Sequence, residues 1–399
     1  MTAQTDLKKG SIGEVFRVSL KLGLTSFGGP VAHIGYFRDE YVKRKQWLDE
    51  QNYADLVALC QFLPGPASSQ VGMSIGILRA GLLGGIASWA GFTLPSAIAL
   101  MLFAMIVRSY ELTHAGWLHG LMLVSVAVVA QAVWGMARSL APDRTRGTIA
   151  VLSAIATLAW PAAYTQLILI AAAAVFGRLF LPQAASTEVT SSAPVLSKRI
   201  AVLAWVVFGG LLIGLPILRQ WFPSHGLALF DSFFRVGSLV FGGGHVVLPM
   251  LQAEVVPTGW ITDSQFLAGY GAAQAVPGPL FTLSAYLGAV INGWSGAVIA
   301  LLAMFLPSYL LIVGALPLWG AIRRRPKFQA ALQGINAAVV GILLAALFNP
   351  VWTSTIHNAY DFSLALAAFA LLVLWKLPPW IVVVLAAVGG AVLSALTAL

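Results

Sequence analysis

Strings of helix-breaking residues interrupt strongly apolar segments of this chain, and the set occurs twice. The first copy reads Phe27-Gly28-Gly29-Pro30, Trp47-Leu48, Gln61-Phe62-Leu63-Pro64-Gly65-Pro66 and Leu94-Pro95-Ser96. The second reads Phe241-Gly242-Gly243-Gly244, Trp260-Ile261, Gln274-Ala275-Val276-Pro277-Gly278-Pro279 and Leu306-Pro307-Ser308. Proline removes a backbone donor and ends the helix before it, and glycine admits dihedrals that other residues avoid. In lipid, backbone broken in this way survives only where protein or a polar cavity covers it. Paired interruptions in two halves are a pointer to the binding site of a transporter.

Lipid is the implied solvent. Of 399 residues, 59% are hydrophobic and 9% charged, whereas soluble domains carry about 25% charged residues. Windows such as Leu82–Val107, Ile200–Leu218 and Ile381–Leu399 approach or exceed the roughly 20 apolar residues that span a bilayer. Lys8 and Lys9 precede an amphipathic stretch with Glu14, Arg17 and Lys21, which does not read as a cleavable signal. The net charge of +9 fits basic flanks on the cytoplasmic side and makes no case for nucleic acid. Cys60 is the single cysteine, and the six histidines lack metal-ligand spacing. No disulfide, metal or cofactor is therefore expected.

The expected fold is an all-α polytopic membrane protein of two inverted-topology repeats with broken or re-entrant helices. A polar, small-residue stretch separates the halves and divides the chain into 1–182, a linker at 183–199, and 200–399. Basic residues set the orientation. Arg38, Lys43, Arg44 and Lys45 follow the first glycine break, but the matching Gln252–Gly259 has none and carries Glu254. Arg323, Arg324, Arg325 and Lys327 reverse that asymmetry later, where half one has only Arg108 beside Glu111. Cytoplasmic loops collect lysine and arginine, so the halves are expected upside-down relative to each other. Crossings are expected near 81–107, 117–137, 147–160, 162–180, 200–218, 293–318, 329–350, 361–375 and 379–397. With hairpins at the two glycine breaks and the two Pro-Gly-Pro turns, this makes about nine crossings and four re-entrant hairpins.

Three sets of residues carry the candidate chemistry. A helix that restarts after Pro64-Gly65-Pro66 or Pro277-Gly278-Pro279 presents free N–H groups and the positive end of its dipole, an anion-binding element that needs no charged side chain. Gln61 and Gln274 lie three residues before these turns and add hydrogen-bonding groups. The glycine breaks are the second set, with His33 and His245 nearby but not equivalent. The third is charge: Lys21 matches Arg235 and Glu40 matches Glu254, all at an offset of 214. Two cations on membrane-entering helices favour a divalent oxyanion, and the two glutamates are candidates for proton coupling or for partners of the cations. Arg17, Arg79 and Asp231 are weaker candidates. The alternatives are kinks that serve only packing, a Lys21 that reaches the headgroups, and a Glu40 on a solvated face. No phosphate loop, H-x-x-x-H pair, G-x-S-x-G elbow or dinucleotide turn is present, so an ion or substrate gradient is the expected energy source.

Ser26-Phe27-Gly28-Gly29-Pro30, the two Pro-Gly-Pro strings and Phe241-Gly242-Gly243-Gly244-His245-Val246-Val247-Leu248-Pro249 closely resemble the chromate ion transporter family, in its long two-domain form. The resemblance implies a multi-pass carrier of the bacterial inner membrane that exports chromate, confers chromate resistance and is driven by the proton-motive force, with sulfate as the look-alike anion. It places functional weight on Phe27, Gly28, Gly29, Pro30, Gln61, Pro64, Gly65 and Pro66. In half two the weight falls on Phe241, Gly242, Gly243, Gly244, His245, Gln274, Pro277, Gly278 and Pro279. Gly244 stands where the first copy has proline, so the hairpins need not be mechanically equivalent. Partners are then the oxyanion and the bilayer, with a homodimer left open. Uptake of sulfate or another oxyanion is the nearest alternative. A passive channel, or a membrane-embedded enzyme such as a chromate reductase, are the others, and one cysteine with dispersed histidines argues against the enzyme.

Overall fold

The computed structural model describes residues 10–27, 29–109, 116–160, 163–182, 196–241, 246–318 and 326–397. Gly28, Gly242, Gly243, Gly244, His245, Arg323, Arg324, Arg325 and most of the linker lie outside these residues. The described residues form helices with no strand among them. Half one holds α1 (Ile12–Thr25), α2 (Gly29–Phe37, continuing as a π-helix over Arg38–Arg44), α3 (Glu50–Phe62), α4 (Ala67–Ser109), α5 (Gly116–Leu140), α6 (Arg144–Ala159) and α7 (Ala163–Phe180). Then come α8 (Lys198–Trp221), α9 (His225–Leu239), α10 (Val247–Val255), α11 (Asp263–Ala275), α12 (Leu283–Ala315), α13 (Pro326–Ala346), α14 (Ala359–Val373) and α15 (Pro379–Thr397).

Five segments are long and apolar enough to cross a membrane: Ala67–Val107, Gly116–Leu140, Lys198–Trp221, Leu280–Ala315 and Gln329–Trp352. The chain is thus an all-α polytopic membrane protein. The expected segments 147–160, 162–180, 361–375 and 379–397 fall on the shorter α6, α7, α14 and α15, of 16, 18, 15 and 19 residues.

Local sequence sets the ends of these helices. Ser11 caps α1 by accepting the amide of Glu14 at 3.1 Å, and Asp49 caps α3 by accepting that of Asn52 at 2.7 Å. In half two Ser224 caps α9, and Thr262 with Gln265 forms a reciprocal capping box on α11. Each satisfies donors that a helix start leaves open.

Neither α4 nor α12 is one straight rod. Ala80-Gly81 and Asn292-Gly293 leave helical geometry, with φ +68° at Gly81 and +61° at Gly293. At each turn the chain folds back, so that Gly76 packs on Gly84 and Gly288 on Gly296. Eight helical residues would otherwise hold such a pair about 12 Å apart. The long apolar legs are therefore 82–109 and 294–315. They run antiparallel against each other: the Tyr309 hydroxyl donates to the Leu82 carbonyl at 2.8 Å, and Trp89 lies 5.9 Å from Phe305.

The last hairpin of each half packs on the other half. Helices α6 and α7 lie on α13, while α14 and α15 lie on α5. Glycine permits the close approach. Gly334 faces the backbone of Ala173 and Gly177, and Gly120 faces that of Ala386 and Gly390. The offset of 213 to 214 holds for each of these residues, so one approximate two-fold relation governs the exchange.

Candidate functional site

The interrupted tips meet, and they meet crosswise. Gly65 donates its amide to the Val240 carbonyl at 2.7 Å, and Gly278 donates its amide to the Ser26 carbonyl at 2.9 Å. Each bond joins the Pro-Gly-Pro turn of one half to the residue that precedes the glycine break of the other. Two equivalent junctions result. The turns need glycine for backbone reasons, since φ is +114° at Gly65 and +97° at Gly278, a region that side-chain-bearing residues rarely occupy. They need it for space as well. A Cβ on Gly65 would collide with Ser308 Oγ, and one on Gly278 would lie 2.9 Å from Ser96 Oγ and 3.1 Å from the Phe92 carbonyl oxygen. The serines of the two Leu-Pro-Ser strings therefore abut the opposite turns. The repeated strings signal their own importance, but nothing in them tells which strings touch.

A narrow crevice of about 20 Å³ opens at the Gly278 junction, lined by Gly29, Ala273, Gln274, Val276, Gly278, Leu280 and Pro379. Gln274 turns a buried Nε2 without a partner toward this region, and Ser26 Oγ is likewise buried and unpartnered. Gln61, its equivalent, is exposed. The two glutamines thus occupy different environments despite their matched positions. Phe27 packs at the same end, 6.1 Å from Trp380. Pro64 offers its carbonyl to Gln70 Nε2 at 2.7 Å, and Pro279 offers its own to Thr282 Oγ1 at 2.7 Å, so polar side chains just inside the restarting helices tie both turns. The backbones of Pro30, Pro66 and Pro277 complete the breaks.

The matched charges pair with each other. Lys21 binds Glu40 at 2.5 Å, and Arg235 binds Glu254 at 3.0 Å. Glu40 is buried and also receives Arg44 at 3.2 Å, so it does not sit on a solvated face. Burial opposes its charge, but hydrogen bonds from Lys21 and Arg44 outweigh that and hold its carboxyl below the usual range. Arg235 also reaches the buried Asp231 at 3.3 Å, which Arg219 approaches at 3.5 Å. Arg79 binds Glu14 at 3.3 Å and lies over the Trp47 ring at 5.0 Å. His33 is buried, with Nδ1 3.2 Å from Ser68 Oγ. Among the described residues no cluster of histidine, cysteine and acidic side chains could hold a metal.

This crossed arrangement is built from both copies of the repeated strings, and so is the match to known proteins. The sequence profile described as "Chromate transporter" fits residues 13–178 and again 227–391, leaving α8 outside both matches. The chain belongs to the chromate transporter family. It is 29% identical to the chromate transport protein of Pseudomonas aeruginosa, over 96% of this chain and 92% of that one. It is also 29% identical to the probable chromate transport protein of Synechococcus elongatus, over 96% and 95%. Against the chromate transport protein of Cupriavidus metallidurans the identity is 28%, over 82% and 80%. No solved structure matches this chain. Members of the chromate transporter family are transport proteins, and this one is not an enzyme.

Proposed function

We propose that this chain is a secondary carrier that exports chromate, a sulfate-like divalent oxyanion, across the bacterial cytoplasmic membrane at the expense of the proton gradient. The observation that carries the reading is the pair of crossed bonds, Gly65 to Val240 and Gly278 to Ser26. They gather four backbone interruptions, one pair from each half, into two junctions inside an apolar bundle. Helices that restart at such points offer N–H groups and positive dipole ends to a dianion. Lys21 and Arg235 add positive potential. Binding by amides and hydroxyls also stays weak enough for release on the far side. The names of three relatives that span most of the chain support chromate as cargo.

The two halves act as inverted repeats. Equivalent legs 82–109 and 294–315 run antiparallel, which supports a two-fold axis lying in the membrane plane. Rocking one set of junctions open while the other closes gives alternating access. Glu40 and Glu254 couple protons, each in a state that separates it from the cation it now pairs with. Sulfate uptake is the second reading, because the two ions are nearly alike in shape and charge.

Inside-out vesicles decide between them. Chromate accumulation that follows an imposed proton gradient and is competed by sulfate supports export. Accumulation only in right-side-out vesicles supports uptake, and flux that ignores the gradient and does not saturate overturns the carrier reading.

A further inference from the structure

The two junctions are not chemically alike, and the difference points to a site. At the Gly278 junction two hydroxyls are occupied, Ser96 Oγ donating to the Thr93 carbonyl at 3.1 Å and Thr282 Oγ1 to the Pro279 carbonyl at 2.7 Å, while Ser26 Oγ stays unpartnered. The equivalents of Ser96 and Thr282 at the Gly65 junction are Ser308 and Ser69. Both are buried, at 0% and 2% exposure, and neither hydroxyl has a partner among the described residues. Ser308 Oγ lies directly against the α-carbon of Gly65, and the Gln70 amide converges on the same point. Ser69 sits in the first turn of the 67–79 leg, where backbone N–H groups lack helical acceptors. Arg235 lies five residues before Val240 on α9, with its Nε buried and unpartnered. Leaving a buried hydroxyl unsatisfied is costly, so such a group calls for a partner, an ordered water or a ligand.

We infer that Ser308, Ser69 and the first turn of the 67–79 leg form a second oxyanion site, at the Gly65 junction, for a tetrahedral dianion of the chromate and sulfate class. The inference rests on the carrier reading above and deepens it. The dianion passes two stations, one per junction. The Gly65 station differs in its donors, because the Ser308 and Ser69 hydroxyls there are free where their equivalents at Gly278 are occupied. The cations do not distinguish the stations, since Arg235 and Lys21 each lie five residues before their junction and each is paired with a glutamate. Gln70 is a positioning residue: its amide holds the Pro64 carbonyl and so the shape of the turn. Ser308 sets affinity by one hydrogen bond to the anion.

The test uses the full-length protein in proteoliposomes and in detergent, with chromate flux and direct titration by sulfate. Ser308→Ala is expected to raise half-saturating chromate about fivefold, the value of one hydrogen bond, with the maximal rate within about twofold. Sulfate binding should weaken by the same factor. Ser69→Ala repeats the measurement if Ser308→Ala fails to assemble, and the exposed Ser139→Ala serves as the unaffected control. Wild-type affinity in both serine variants, with wild-type protein active, overturns the second site alone. A wild-type protein that neither binds sulfate nor moves chromate removes the carrier reading and this site together.

Discussion

Gly278 donates its amide to the Ser26 carbonyl at 2.9 Å, across the boundary between the two repeats. Gly65 makes the equivalent bond to Val240. Neither half can close its own interrupted tip. A carrier built this way couples its halves through backbone, so any side chain at the turns disturbs both at once.

Gly278→Ala should therefore be the harsher of the two turn substitutions. Its Cβ meets the Phe92 carbonyl, which is backbone and cannot swing aside, whereas at Gly65 the obstacles are the ends of Ser308 and Gln70. Both variants also strain a residue at positive φ. The expected loss is about 1–3 kcal/mol of stability together with most chromate flux. Gly65→Ala combined with Ser308→Ala should recover thermal stability in part, and Gly278→Ala with Ser96→Ala should recover less. Unfolding midpoints in detergent give the comparison.

Arg235→Gln should abolish chromate flux, but it does more than remove a substrate charge. Asp231, 2% exposed, would keep only Arg219 at 3.5 Å. A fully uncompensated buried carboxylate costs roughly 3 kcal/mol, and with Arg219 alone left to pair it Asp231 bears part of that cost, so lower expression accompanies the lost flux. Arg235→Lys separates the effects. It keeps the charge near Asp231 and Glu254 and should restore thermal stability, while half-saturating chromate stays raised because the planar fork is gone. Normal flux in Arg235→Gln would remove this residue from the site.

Glu40 gives a pH prediction with a definite sign. Its folded-state pKa lies below the unfolded value, so its ion pairs add stability above the ordinary carboxylate range, about pH 4. That stability is lost as the pH falls through the depressed value. Between about pH 5 and 8 the group stays ionised in this conformation, so Glu40→Gln should lower the unfolding midpoint by a nearly constant amount across that range. If Glu40 couples protons, the same variant should also carry chromate without responding to an imposed proton gradient. Gradient dependence equal to wild type would assign Glu40 to the Lys21 contact alone.

Much of this could be read before folding. The breaks, the helical character of the described residues and the matched charges all follow from local chemistry: proline and glycine stop helices, and charge in lipid needs a reason to be there. The offset of 214 even paired Lys21 with Arg235 and Glu40 with Glu254, although each cation binding the glutamate of its own half was only one of two readings. The exchange of terminal hairpins was not legible, because α6, α7, α14 and α15 are apolar nearly all round and carry no mark of which helix they meet. The Gly65 and Gly278 bonds are invisible for a different reason. They run through backbone atoms, which every residue possesses. The unlike surroundings of Gln61 and Gln274 also escape a comparison of matched strings, since the difference comes from what packs beside them.

The exchanged hairpins rest on glycines with no room to spare. Gly334→Ala would drive a Cβ into the Ala173 carbonyl, 3.1 Å from the Gly177 α-carbon, whereas Gly135 has open space around it on α5. Gly334→Ala should thus destabilise the protein by about 1–3 kcal/mol. Gly135→Ala should stabilise it by roughly 0.5–1 kcal/mol, the ordinary preference of a helix for alanine. Opposite shifts in unfolding midpoint from the same chemical change would locate the tight contact at the swap, and equal shifts would argue that the α7–α13 packing is looser than described.

An inverted arrangement of the halves, as proposed, would make a topological demand that labelling can meet. Lys43 and Thr258 occupy nearly equivalent places, just after the glycine-break hairpins, and both are exposed. If the two-fold axis lies in the membrane plane, these points face opposite aqueous compartments. Cys60 is buried and its thiol is the single one in the chain, so Cys60→Ala provides a clean background. In that background Lys43→Cys should react with an impermeant maleimide only in inside-out vesicles, because Arg38, Arg44 and Lys45 mark its side as cytoplasmic. Thr258→Cys should react only in intact cells. Reaction of both from one side would place the axis along the membrane normal and would remove the physical basis for rocking the Gly65 and Gly278 junctions in opposite senses.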